Sequence, residues 1–289
     1  MGSKQLADGR WEHWFHQSWL STYAECPEMA RTEMLKMYPR EETDANCKGT
    51  AVHAAIEAVL VRNADFADAL NVGMDLFREL AATEGFKWVK VKTEKTALEH
   101  VAGGFASWYH YVWPTLGASK WVEEHFSLTL HEDDERVIGL AGTVDYAELP
   151  SGIRDWKLTS NTDKYKSGFG GEGWKQTRWA IQPTAYAAAA YDRGLYAKTE
   201  TVPFTFVALS PMGREPQLCP APRTWDHVQW LLHQLTPIAK LIEANLSQWP
   251  LRDQHALCSP DWCPHWDACK GQFLPHPKHK QRNNVHAIK

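Results

Sequence analysis

Two short stretches hold the residues with most to offer chemically. Gly142-Thr143-Val144-Asp145 and Asp155-Trp156-Lys157 each set an acid within an otherwise apolar run. A carboxylate in apolar surroundings is costly unless it is paired or holds a cation. Two carboxylates brought together also repel, and a divalent metal ion resolves both difficulties. Mg²⁺ and Mn²⁺ favour such oxygen ligands, and a metal so held can activate water and offset the charge that builds on a phosphodiester during hydrolysis. Lys157 follows Asp155 by two positions, which on a strand sends both side chains to one face. An ammonium there can orient the attacking water or stabilise transition-state charge. The same residues would suit a surface hairpin with solvated Asp and Lys side chains, so D…D-x-K by itself leaves both readings open.

Other residues narrow the choice. His53 comes four positions after Gly49 in a helical pattern, and a small residue one turn away would let that helix approach the strand acids. Gln182 and Tyr186 fall one turn apart on the helix expected after the D-x-K strand, with Pro183 near that helix's start or at a kink. Plain packing on a helix surface or against a sheet is the alternative for each. Cys258, Cys263 and Cys269 form C-x4-C-P-x4-C, and Cys26, like Cys263, is followed by proline. Three clustered thiols and a distant fourth can ligate an iron–sulfur cluster or a tetrahedral Zn²⁺. Cys47 and Cys219 share no pattern with them and read as ordinary thiols. Lys164 and Lys166 in a glycine-rich loop, then Lys175 and Arg178 at the start of the next helix, suit phosphate contacts. The segment from Lys270 onward carries five Lys or Arg and no acid, and reads as a flexible basic tail.

These residues need a scaffold to hold them. The 289 residues suffice for one large domain, or a core with appendages. With 44% hydrophobic and 23% charged residues the composition is that of a globular protein. A net charge of -4 means that any surface for nucleic acid must be local. No run of about 18 apolar residues exists and the start is polar, so neither a membrane helix nor a secretory signal is expected. Helical spacing predicts helices over 49–62, 66–82 and 94–113, and the first 115 residues read as mostly helical. Strands are predicted over 120–131, 136–149 and 153–158, with a tight turn at Ser151-Gly152. A helix over 174–193, a strand over 201–209 and a helix over 224–247 follow. The expected division is a helical region over 1–118, a core over 119–250, a cysteine segment over 251–271 and a tail over 272–289.

Taken in order, G-x-x-x-H, G-x-x-D, D-x-K and Q-x-x-x-Y resemble the RecB-like branch of the PD-(D/E)XK nuclease superfamily, over about residues 20–270. The resemblance implies an α/β fold with a restriction-endonuclease-like αβββαβ core, and a metal-dependent DNA exonuclease. It would give His53, Asp145, Asp155 and the backbone carbonyl of Leu158 to a Mg²⁺ or Mn²⁺ ion. Lys157, Gln182 and Tyr186 would serve catalysis and substrate positioning. Family members often carry a glutamate on the first strand, and Glu123 and Glu124 compete for that place. The cysteine pattern resembles the iron–sulfur subgroup, which includes CRISPR-associated exonucleases and AddB-type subunits. It implies a 4Fe-4S clasp on Cys26, Cys258, Cys263 and Cys269, with zinc as the lesser alternative. The implied substrate is single-stranded DNA or DNA ends. The implied setting is the cytoplasm of a bacterium or phage host, in repair, recombination or CRISPR adaptation, with a recombination, helicase or adaptation partner. Two other classes compete: a non-catalytic DNA-binding or adaptor protein with a structural cluster, and a zinc-stapled endonuclease.

Overall fold

The computed structural model describes residues 2–37, 42–160, 175–250, 266 and 269, with the backbone alone for 175–180. Strands β1 (Gly2–Gln5) and β2 (Trp11–His16) come first. Helices α1 (Gln17–Glu25), α2 (Pro27–Met34), α3 (Asp44–Arg62), α4 (Phe66–Ala81) and α5 (Glu94–Tyr111) follow. Next are β3 (Ser119–Glu132), β4 (Arg136–Glu148), β5 (Gly152–Leu158), α6 (Lys175–Asp192), β6 (Phe204–Leu209), β7 (Gln217–Pro220) and α7 (Trp225–Glu243). From α5 to β6 the order is αβββαβ, within a mixed sheet of seven strands, consistent with a restriction-endonuclease-like fold.

Strand β4 is the hub. Along one edge it pairs with β3, antiparallel and nearly end to end. Along the other it pairs first with β2, in parallel over Arg136–Ala141, and then with β5, antiparallel over Tyr146–Glu148. Gly142–Asp145 falls between those two ladders, so this edge of the G-x-x-D segment has no strand partner. Beyond Arg154, β5 parts from β4 and continues on β6 alone. A gap therefore opens in the sheet beside both acids.

Alternation along β6 sends Phe204, Phe206 and Ala208 into one core, and Val207 and Leu209 into a second. The first core is closed by α1, α6 and α7; the second by α3, α4 and α5. Helix α3, which carries His53, is fixed at its start. The Thr43 side chain caps it, accepting from the Asn46 N–H. The buried Asp44 carboxylate accepts the N–H groups of Val89, Lys90 and Val91 and pairs with Lys48 at 2.9 Å. Asn63, in a left-handed conformation, ends the helix.

Several expectations need correction. The first 115 residues are mostly helical, as expected, but β1 and β2 open the chain where no strand is predicted. The inward positions of β2 are Trp11, His13 and Phe15, and the fully buried His13 breaks the apolar alternation. Its ring is satisfied by Ser3 and Glu243, each 3.0 Å away, partners that only the folded chain supplies. Strand β7 was also not expected. Of the two places expected for Pro183, the start of the helix and its interior, the structure has the interior, with eight helical residues before it. Gly49 is not the close approach beneath His53: a Cβ there would meet nothing within 4 Å. The tight contact is on α5, where a Cβ on Gly104 would stand 2.5 Å from Leu158 and 3.2 Å from Val52. Glycine there lets α5 close on α3 and the sheet.

Candidate active site

The gap between β4 and β5 is filled by side chains. Past the end of their ladder, the Trp156 N–H donates to Asp145 Oδ2 at 2.8 Å. The Trp156 carbonyl lies 3.0 Å from His53 Nε2. A carbonyl only accepts, so Nε2 carries a proton there and Nδ1 is turned to the acids. Nδ1 is 3.2 Å from Glu123 Oε1 and 3.8 Å from Asp145 Oδ2. Backbone groups that a neighbouring strand would have used thus orient two functional side chains.

Glu123 reaches the site through an unusual backbone. Its φ of 46° is left-handed, a region that a non-glycine residue rarely visits and that costs roughly 1–3 kcal/mol. The consequence is a change of face within β3. Val122 packs on the second core, whereas Phe126 and Leu128 lie in the first, although regular alternation would put all three together. Glu123 then points at His53, while Glu124 points away, 3.9 Å from Arg193.

Asp155 is fully buried on β5. Gln182 of α6 donates to its Oδ1 at 2.6 Å, and the Tyr186 hydroxyl stands 2.9 Å from the same amide nitrogen. The Q-x-x-x-Y pair of α6 therefore reaches the D-x-K strand from the side opposite α3. Lys157 Nζ lies 2.6 Å from Asp155 Oδ2. That contact is an ion pair without an aligned donor, and among the described residues Asp155 Oδ2 is a buried oxygen with no hydrogen bond.

The electrostatics follow from crowding. Burial pushes the Asp155 carboxyl up; Lys157 opposes that, and the Asp145 charge adds to it. Burial likewise raises Asp145, against the pull of His53 and Lys157. For His53, burial favours the neutral ring, but the charges and hydrogen bond of Asp145 and Glu123 outweigh it and lift the imidazole to about 9. Burial works against the Lys157 ammonium too, and Asp155 and Asp145 more than restore it. The metal-free site is an acid cluster that holds on to protons.

Such a cluster fits a hard divalent cation. One ligand atom each from His53, Glu123 and Asp145 lies within 4.8 Å of the others. Octahedral Mg²⁺ at ~2.1 Å needs ligands roughly 3–4.2 Å apart, so a contraction of about half an ångström suffices. Asp155, expected as a ligand, is not one of these three: its Oδ2 is buried and faces Lys157 Nζ at 2.6 Å. Leu158 ends β5 with its side chain against Gly104.

Of the other expected residues, Lys164, Lys166, Cys258 and Cys263 lie outside the described residues, as do the side chains of Lys175 and Arg178 and the tail from Lys270. Cys26 is half-buried at the junction of α1 and α2, and Cys269 is half-buried in a turn. Glu123 and the Trp156 backbone are what sequence reasoning did not resolve; only the break in alternation within β3 could have favoured Glu123. Among the described residues no helix is long and apolar enough to cross a membrane.

A search of curated proteins found no match. The model of the PD-(D/E)XK nuclease superfamily, however, matches residues 15–270, a span that takes in every element from the end of β2 to α7. The chain belongs to the PD-(D/E)XK nuclease superfamily.

Proposed function

We propose that the chain is a metal-dependent DNA exonuclease of the RecB-like branch, acting on single-stranded DNA or DNA ends. The observation that carries this reading is the gap between β4 and β5. There three ligand-bearing side chains converge within 4.8 Å, beside a third carboxylate, Asp155, whose buried Oδ2 lacks an aligned donor. His53, Glu123, Asp145 and Asp155 would hold Mg²⁺ or Mn²⁺, with the carbonyl of Leu158 as the further ligand that the family resemblance implies. When bound, the ion supplies a Lewis acid for a phosphoryl oxygen and a means of lowering the pKa of water.

The chain's own residues do the rest. Gln182, steadied by Tyr186, holds Asp155 in one orientation through Oδ1 and leaves Oδ2 to the site. The Trp156 amide does the same for Asp145, and its carbonyl sets the His53 ring. The Lys157 ammonium, beside Asp155, is placed to hold the attacking water or a phosphate oxygen as charge develops. Lys164, Lys166, Lys175 and Arg178 are the proposed phosphate contacts along the strand.

A 4Fe-4S clasp on Cys26, Cys258, Cys263 and Cys269 belongs to the same proposal. Its support is where the chain goes before the C-terminal cysteines. Trp249 is buried against Trp19 and Tyr23 of α1, and its N–H donates to Glu28 of α2 at 2.8 Å. Those partners flank Cys26 on both sides. A bacterial or phage setting in repair, recombination or CRISPR adaptation would suit such an enzyme.

The test is cleavage of end-labelled linear and of circular single-stranded DNA, with Mg²⁺ or Mn²⁺. Release of label from the linear strand with the circle intact is expected. Cutting of the circle would make the enzyme an endonuclease, and inertness toward both would remove the nuclease reading.

A further inference from the structure

From the linker after α4 into the first turn of α5 the chain runs Lys87-Trp88-Val89-Lys90-Val91-Lys92-Thr93-Glu94-Lys95. Four lysines against one glutamate in nine residues is a marked excess of positive charge in a protein of net charge -4. The lone acid, Glu94, lies 3.6 Å from Arg78, so it is partly offset from outside the segment. All four lysines are exposed. Trp88 is 42% exposed, unlike the fully buried Trp108 and Trp156, so this ring is not spent on the core. Its position is nonetheless set: it stands edge-on to Phe86 with centroids 4.9 Å apart, and 6.3 Å from the buried Phe77.

The backbone beneath these side chains is also held. Asp44 accepts the N–H groups of Val89, Lys90 and Val91, at 2.6, 2.8 and 3.1 Å. The Lys87 N–H donates to the Glu42 carbonyl, and the Lys87 carbonyl accepts from the Asp44 N–H. Val91 is buried in the second core. Because Asp44 pairs with Lys48 at 2.9 Å, the anchoring carboxylate does little to cancel the lysines above it. The outcome is a rigid loop presenting a fixed aromatic ring among cationic side chains.

We propose that residues 87–95 are a docking track for single-stranded DNA, with Trp88 as a base-stacking platform and Lys87, Lys90 and Lys92 as phosphate contacts. Phosphate contacts alone would serve any polyanion. The open indole adds a preference for strands whose base faces are free, which a duplex conceals. The track gives the proposed nuclease a second hold on its substrate, and so rests on that reading for its purpose although not for its binding. Asp44, which anchors the loop, lies nine residues before His53 on the same helix, about 14 Å along the axis. An unstacked single strand spans more per nucleotide than the duplex rise of ~3.4 Å, so fewer than about four nucleotides cover that distance. Nine residues also turn the helix by about half a revolution, so Asp44 and His53 lie on opposite sides of α3.

The experiment uses the full chain, a labelled 20-nucleotide oligo-dT and an abasic strand of equal length, read by anisotropy with Ca²⁺ in place of Mg²⁺ across a salt series. Lys87→Gln, Lys90→Gln and Lys92→Gln together should weaken binding and lower the salt slope by about 2, at ~0.7 per lost phosphate contact on a single strand. Trp88→Ala should weaken oligo-dT binding roughly 5- to 100-fold, leave the salt slope and the abasic strand unchanged, and be largely restored by Trp88→Phe. Cleavage of a dinucleotide, too short to span the roughly 14 Å to the loop, should be unaffected in every variant. Parental affinity and slope in the lysine variant, or equal loss on the abasic strand for Trp88→Ala, would overturn the track. A parent protein that binds as described but cleaves nothing would sink the nuclease reading and leave the track standing.

Discussion

Protons and metal should compete at His53, and the competition has a sign that can be measured. In the metal-free protein the imidazole is lifted from its ordinary 6.5 to about 9 by Asp145 and Glu123, against the opposing effect of burial. A folded-state value above the unfolded one adds stability that is fully present below pH 6.5 and lost as pH rises through about 9. At ~1.4 kcal/mol per pH unit this is worth about 3 kcal/mol. A metal, by contrast, needs the neutral ring, so its apparent affinity should rise about tenfold per pH unit over the same window, roughly 300-fold in all. The two slopes therefore oppose: metal-free protein should melt lower as pH climbs from 6.5 to 9, and the stabilisation by a fixed Mg²⁺ concentration should grow. Thermal unfolding with and without Mg²⁺ gives both slopes. Calorimetric titration in buffers of different ionisation heat should find about one proton released per ion between pH 7.5 and 8.5. His53→Gln should bind metal more weakly and lose the pH slope, with activity partly rescued by high Mn²⁺. An affinity that stays flat from pH 6.5 to 9, or a slope that survives in His53→Gln, would refute the place of His53 beside the ion.

Three further outcomes are expected. Asp155→Ala should abolish cleavage without rescue by Mn²⁺, and Lys157→Ala should lower kcat roughly 10²- to 10³-fold while metal binding persists; full activity in Asp155→Ala would contradict the assignment. Gln182→Ala removes the donor on Asp155 Oδ1 and should cost about 1–3 kcal/mol of stability, together with a fall in kcat. Chemical denaturation and steady-state kinetics would show both, and an unchanged kcat would make Gln182 a packing residue. Protein purified without oxygen should be brown with about four iron and four sulfide per chain, whereas one zinc in colourless protein would replace the cluster but keep the clasp.

The acids, the lysine and the order of elements from α5 to β6 were legible in the sequence because each is local. An acid inside an apolar strand, a lysine two positions on, and a helix with Gln and Tyr one turn apart are patterns of period 2 and 3.6 that a single stretch displays. The tertiary structure decided what depends on how strands meet. Strand β2 was hidden because His13 is buried on partners 10 and 230 residues away, so its alternation carried a polar residue inward. Glu123 and Glu124 are chemically identical neighbours on opposite faces of β3, and which of them faces His53 goes with one left-handed backbone angle at Glu123. The part of the Trp156 backbone is further from view, since its N–H and carbonyl become available only where β5 parts from β4. Sequence determined which groups exist and roughly how far apart they lie along the chain. The gap in the sheet determined which of them share a site, because a missing strand partner is a property of the assembled sheet and of no single segment.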